Sequence, residues 1–222
     1  MLLALDTSTQ TVGMALYDGM QIIGETIWQT HSHHTVEVAP ALGELFNRCS
    51  VRPLDLEGIG VALGPGSFTS LRIGLAVAKG LAMAVRIPVV GIPTLNILAA
   101  AQPISELPLV ALLQAGRNRL AVGWYQAGKH GWESSGEPQG ATVDELYEQI
   151  QTPTLVCGEL TPAERQTLGR KRKTILLASP AMSLRRPSFL AELAWKRLKS
   201  GKVDEVIGLS PIYLHTAQAI PS

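Results

Sequence analysis

Gly64-Pro65-Gly66-Ser67-Phe68-Thr69-Ser70-Leu71-Arg72-Ile73-Gly74 runs from an apolar strand through a turn into a long helix rich in small residues. Ile59 to Leu63 has strand character, the glycines of Gly64-Pro65-Gly66 permit positive φ, and Ser67 is a natural N-cap for the helix. Such a strand-turn-helix junction aims free backbone N–H groups outward, where they can meet an anion, a partner's carboxylate or water.

The helix is expected over Phe68 to Val85, and its periodicity divides it into two unlike faces. Leu71, Ile73, Val77, Leu81 and Val85, with Gly74 and Ala78, form the apolar stripe expected to lie on a sheet. Opposite them, Ala76, Gly80 and Ala84 make a row of small residues bordered by Arg72, Lys79 and Met83. Helix propensity explains the alanines equally well. It does not explain Gly80, which costs about 1 kcal/mol relative to alanine in an exposed helix interior and so argues for close approach of a second backbone.

Working outward, Leu2 to Leu5, Val12 to Tyr17 and Gln21 to Trp28 read as three strands, the last two joined by an Asp18-Gly19 hairpin turn. Thr35 to Cys49 has helical spacing at Val36, Ala39, Leu42, Leu45 and Phe46, with Pro40 near the first turn. Strand Gly58 to Leu63, the small-residue helix and strand Val89 to Gly91 come next, and Thr94 reads as the N-cap of a helix Leu95 to Ala101. This order predicts an α/β layer with helices on a mixed sheet. Gln102-Pro103 is a seam. Beyond it come strands Leu109 to Leu113, Leu120 to Tyr125 and one around Gly131 to Ser135, a helix Val143 to Ile150, strands Thr154 to Cys157 and Thr174 to Leu177, and an amphipathic helix Ser188 to Lys199. The expectation is a loose internal duplication, residues 1–102 and 103–222, with the last helix and tail packing back on the first part.

Composition excludes several classes. A chain of 222 residues, 46% hydrophobic and 17% charged with formal net charge +1, has enough apolar content for a sizeable core and no demand for direct nucleic-acid binding. Arg170-Lys171-Arg172-Lys173 reads as a solvated loop. Cys49 and Cys157 lack metal or disulfide spacing and read as small core residues in a reducing compartment. The chain opens directly on a strand, and no apolar run is expected to reach membrane-span length, so a cytoplasmic location is expected.

Asp6-Thr7-Ser8-Thr9 ends the first strand in a hydroxyl-rich turn. An aspartate there can hold Mg²⁺ through water while the turn holds phosphate, but ordinary hairpin chemistry uses the same residues and is the favoured reading. His31-Ser32-His33-His34 does not have the spacing that puts two imidazoles on one helical face, so no metal site is expected and helix entry is the better use. Ser67 is a cap rather than a nucleophile, neither cysteine has a motif around it, and Gly64-Pro65-Gly66-Ser67 lacks the Gly-Lys-Ser/Thr ending of a P-loop.

Leu3-Ala4-Leu5-Asp6-Thr7-Ser8-Thr9, His34-Thr35, the Gly64 to Gly74 block and Pro211-Ile212-Tyr213-Leu214, in this order and in a chain of this size, resemble the TsaB (YeaZ) family. The resemblance implies an ASKHA fold, that of actin, sugar kinases and Hsp70, with two RNase H-like subdomains. It also implies a non-catalytic partner of the TsaD transferase, with the TsaE ATPase as third component, in making threonylcarbamoyl-adenosine on tRNAs that read codons beginning with A. Contact with tRNA would be indirect, the chain alone would be a homodimer, and no membrane is implied. The implied interface comprises His34, Thr35, Pro40, Gly64, Pro65, Gly66, Ser67, Phe68, Thr69, Arg72, Ala76, Lys79, Gly80, Met83 and Ala84. No cofactor is required; ATP and Mg²⁺ at low affinity would sit at Asp6, Thr7, Ser8 and Thr9. The chain departs from the family at Gln114, where aspartate is usual, at Arg119, where glutamate is usual, and in having only Gly158 in place of a Gly-Gly adenosine loop. Two rivals stand beside this reading: an ASKHA-type kinase or ATPase using Asp6 and Thr7 to Thr9, and a homodimeric module with another client, since a two-fold interface uses the surface a heterodimer would.

Overall fold

The structure is a computed structural model that describes residues 1–30, 34–116, 118–171 and 173–214. The first half contains β1 (Leu2–Asp6), β2 (Thr11–Tyr17), β3 (Ile22–Gln29), α1 (His34–Cys49), β4 (Gly58–Gly64), α2 (Phe68–Val85), β5 (Val89–Pro93) and α3 (Thr94–Ala100). The second contains β6 (Leu109–Gln114), β7 (Leu120–Gly128), β8 (Gly131–Ser134), β9 (Gln139–Ala141), α4 (Val143–Gln149), β10 (Thr154–Gly158), α5 (Pro162–Leu168), β11 (Ile175–Leu177) and α6 (Pro187–Lys199).

The duplication is sharper in topology than in sequence. One sheet has the order β3-β2-β1-β4-β5 and the other β8-β7-β6-β10-β11, with β9 pairing on β7. In the first, β1 is antiparallel to β2 and parallel to β4, and β5 continues in parallel. In the second, β6 is antiparallel to β7 and parallel to β10, and β11 continues in parallel. Two mixed sheets of one topology, each flanked by helices, make this a two-subdomain RNase H-like fold of the ASKHA type.

Strand alternation distributes the cores. Leu3 and Leu5 of β1 face Val38, Leu42, Leu45 and Phe46 of α1 and Leu75, Ala78 and Ala82 of α2. Leu2 and Ala4 face the other way, onto Leu190, Ala191 and Ala194 of α6. The two subdomains exchange helices: α6, from the end of the chain, covers the first sheet, while Leu95, Leu98 and Ala99 of α3 pack on Leu109, Ala111 and Leu113 of β6 in the second. The chain then returns across the first sheet. Asp204 bridges to Val89 and accepts from the Gly91 N–H at 2.7 Å, and the Ile212 N–H donates to the Leu63 carbonyl at 2.7 Å.

Several expectations need correction. The buried face of α2 is Leu71, Gly74, Leu75, Ala78 and Ala82; Ile73, Val77, Leu81 and Val85 lie on its half-buried flanks. Leu75 and Ala82 sit one and three turns along the helix from Leu71, a phase the bulkier side chains concealed. Thr94 does not cap α3 from outside; it is the first helical residue, and its hydroxyl accepts from the Gly64 N–H at 2.9 Å and bonds the Ser8 hydroxyl at 2.8 Å. The short strand β9 and helix α5 are additional elements. By length and composition α2, 18 residues at mean hydropathy 1.4, is long and apolar enough to cross a membrane, contrary to expectation; here its apolar face lies on β4. His31 and His33 lie outside the described residues, as does Arg172 of the basic cluster. Cys157 is buried and Cys49 half-buried.

Candidate functional site

A cleft of about 1060 Å³ opens between the subdomains. Its first wall is the β1–β2 turn with the starts of α1 and α2; its second is the β6–β7 turn with the β10–α5 loop. The walls correspond: each turn joins the first two strands of its sheet.

The Asp6 to Thr9 turn lies behind the first wall with all four residues buried, and of these Thr9 reaches the lining. One Asp6 carboxylate oxygen accepts from the Ser8 N–H at 2.8 Å. The Thr7 hydroxyl donates to the Ser70 carbonyl in the first turn of α2 at 2.7 Å, and the Ser8 carbonyl accepts from the Ser67 N–H at 2.7 Å. The turn and the α2 N-terminus are thus bonded to each other. The contact is close enough that a Cβ at Gly66 would fall 2.3 Å from the Ser8 carbonyl oxygen. Ser67 caps α2, accepting from the Ser70 hydroxyl at 3.0 Å.

Sequence reading missed the residue at the centre. Arg185 lies on the crossover into α6, its side chain wholly buried. Its Nε donates to the other Asp6 oxygen at 2.7 Å, one terminal nitrogen donates to Glu159 beyond β10, and the second donates to the Thr9 hydroxyl and the Thr11 carbonyl, each at 3.0 Å. The Thr9 hydroxyl in turn donates to Glu159 at 2.8 Å. Burial alone would weaken the guanidinium's hold on its proton, but Asp6 and Glu159 more than reverse this and push its pKa up. Nothing in Ser183-Leu184-Arg185-Arg186-Pro187 marks this burial; Arg186, next in the chain, is half exposed and pairs with Glu25.

An ASKHA fold implies a Mg²⁺-nucleotide at this turn, and the residues do not fit one. The Asp6 carboxylate is already neutralised by a guanidinium, and the hydroxyls of Thr7, Ser8 and Thr9 are all engaged within the protein. Across the cleft, Gln114 donates to the Glu164 carboxylate at 2.7 Å and to the Glu159 carbonyl at 3.2 Å, so the end of β6 presents an amide held in place. Arg119 donates to the Gly140 carbonyl at 2.7 Å. Gly158, at φ +123°, packs so tightly on Leu112 that a Cβ would lie 2.1 Å from its carbonyl oxygen. No group of three or more His, Cys, Asp or Glu that could hold a metal exists among the described residues.

The other candidate residues fall in three sets. His34, Gly64 and Pro65 are buried, His34 with its Nε2 2.9 Å from the Thr9 carbonyl. Thr35, Pro40, Ser67, Phe68, Thr69, Arg72, Ala76, Gly80, Met83 and Ala84 are exposed, and Gly66 and Lys79 half-buried. Gly80 has no neighbour within 4 Å of where a Cβ would stand. The tail borders this face: the Tyr213 ring stacks on Phe68 at 5.1 Å, the Arg72 Nε donates to the Tyr213 hydroxyl at 3.1 Å, and Lys79 donates to the Ile207 carbonyl at 2.9 Å.

Residues 22–213 match the family model described as TsaD, tRNA N6-adenosine threonylcarbamoyltransferase. The tRNA threonylcarbamoyladenosine biosynthesis protein TsaB of Bacillus subtilis is 33% identical over 225 residues, covering 98% of this chain and 95% of that protein. The chain belongs to the TsaB family. The TsaB protein of Escherichia coli is 26% identical over 96% of the chain and 94% of its own length. Among solved structures, YeaZ from Pseudomonas aeruginosa superposes with a TM-score of 0.77 at 24% identity, covering 96% of this chain and 99% of that one, which supports the fold. At the end of the described residues, Pro211 to Leu214 closes the tail onto β4 through the Ile212 N–H and the Leu63 carbonyl.

Proposed function

We propose that this TsaB-family chain serves tRNA threonylcarbamoyladenosine biosynthesis as a non-catalytic scaffold that docks on the TsaD transferase through α1 and α2 and activates it, with TsaE as a third component. The observation that carries this reading is the uncovered row Ala76, Gly80 and Ala84, flanked by exposed Met83 and Arg72, on a helix whose opposite face is fully used by the core. Gly80 has empty space above it and no internal packing role, so its cost in helix propensity is offset only if something else approaches there. Because the family model matching this chain is that of the transferase, a transferase has a comparable pair of helices to offer, and the pairing can be pseudo-symmetric. The same face would close a homodimer when the chain is alone.

Against a catalytic role stands the pairing of Arg185 with both carboxylates of this cluster, Asp6 and Glu159. Gel filtration of the chain alone, then mixed with the transferase, followed by a tRNA modification assay, tests the reading. A dimer alone, a new complex on mixing and modification only in the mixture are expected. Absence of a complex, or ATP turnover by the chain alone that disappears in Asp6→Ala, would overturn it.

A further inference from the structure

The Arg185 guanidinium joins groups that the chain keeps far apart. Asp6 belongs to the first sheet, Glu159 to the loop beyond β10 of the second, and Arg185 to the crossover by which the chain leaves the second subdomain to lay α6 on the first. Without it, two carboxylates would face one another around the Thr9 hydroxyl, an arrangement that repels unless a cation intervenes. The planar fork of arginine can serve both carboxylates at once and still donate to Thr9 and Thr11.

We propose that Arg185 is a built-in replacement for the divalent cation that the first-strand aspartate of this fold would otherwise hold, and that it latches the two subdomains beneath the cleft. The position is filled from within the chain, so the cleft neither needs nor admits Mg²⁺ at Asp6, and its walls are held at one separation. A guanidinium tethered to the crossover cannot dissociate as a bound metal ion can. The latch gives the α1–α2 face a fixed platform, because Asp6 leads directly into the turn bonded to the start of α2.

The decisive variant is Arg185→Ala, which leaves Asp6, Glu159 and Thr9 around a vacated space. The full chain is melted with and without millimolar Mg²⁺ or Mn²⁺. The wild type should show no cation-dependent rise in Tm and no saturable heat on titration with Mg²⁺-ATP. Arg185→Ala should melt several degrees lower and recover part of the loss when the cation is added, and the further change Asp6→Asn should abolish that recovery. If Arg185→Ala aggregates, Arg185→Lys supplies the second variant: with one charge but no fork it should fold, melt below the wild type and ignore cations. The proposal is overturned by saturable Mg²⁺-ATP binding to the wild type that Asp6→Asn removes, by an Arg185→Ala protein that melts like the wild type or ignores cations, or by an Arg185→Lys protein as stable as the wild type.

Discussion

The Thr7 hydroxyl occupies the space that a side chain at Gly74 would need: it donates to the Ser70 carbonyl at 2.7 Å, and a Cβ on Gly74, one turn further along α2, would fall 2.2 Å from it. Helix α2 therefore approaches the β1–β2 turn more closely than any other residue would allow, which is how the turn and the helix come to share one hydrogen-bond network. Gly74 and Gly80 lie on the same helix and have opposite reasons for being there.

That difference is measurable. Gly74→Ala gains about 1 kcal/mol of helix propensity, but Thr7 is buried and cannot swing away, so overpacking of about 1 to 3 kcal/mol should dominate and lower the urea midpoint. Gly80→Ala meets nothing and should raise it by roughly the propensity alone, about 0.8–1.0 kcal/mol. Two shifts of the same sign would show that α2 does not sit directly against Thr7.

The start of α2 was legible because its signals are local, the Ser67 cap and the run of helix formers after it, whereas its end is a non-glycine residue, Arg86, in the left-handed conformation, which no residue type there announces. The phase of its buried face was not legible, because the strip of contact runs through Leu75 and the small residues Gly74, Ala78 and Ala82 rather than through the larger Ile73 and Val77. Helix α5 was overlooked although Thr161-Pro162-Ala163-Glu164 carries both a capping box and a proline in the first turn; at seven residues it is too short for a periodic pattern to show. Asp6 to Thr9 drew attention as a turn, yet what fills it comes from 176 or more positions away in sequence, at Arg185, and no local signal distinguishes that arginine from its neighbour Arg186. Contacts set by the return of α6 onto the first sheet can be read only from the folded chain.

Alkaline pH should expose a coupled pair behind α3. Burial raises the Cys157 thiol from its ordinary 9.0 to about 12, and burial, followed by the nearby Cys157, also raises Tyr125, whose hydroxyl donates to Asn96 at 2.7 Å. Both folded-state pKa values lie above the unfolded ones, so the stability they lend is complete below about pH 9 and is lost as pH climbs toward the folded values. Within that window each group should cost about 1.4 kcal/mol per pH unit. Urea unfolding from pH 8 to 11 should therefore fall less steeply in Cys157→Ala than in the wild type; parallel slopes would refute the assignment.

The second subdomain is expected to give shape rather than contact. Gln114 and Arg119 spend their donors on Glu164, the Glu159 carbonyl and the Gly140 carbonyl, all within that subdomain. Replacing both with alanine should lower stability by about 1 kcal/mol for each lost bond and leave transferase binding within error of the wild type. A folded double variant that no longer forms the complex would move the interface to the second sheet.

Gly80→Leu separates the monomer from the assembly. In the isolated chain the new side chain points into open space and removes no core contact, so the helix should gain about 0.8 kcal/mol of propensity. Against a helix packed closely over Ala76, Gly80 and Ala84, the same side chain must force the backbones apart, at the about 1 to 3 kcal/mol typical of overpacking. A loss of that size weakens association roughly tenfold or more, since about 1.4 kcal/mol is a factor of ten. Analytical ultracentrifugation of the chain alone and a titration with the transferase read the two pairings separately. Loss in both would place the homodimer and the heterodimer on one face. Full retention of both in a variant that melts at or above the wild type would show that the small-residue row is plain exposed helix and that α2 is not where a partner docks.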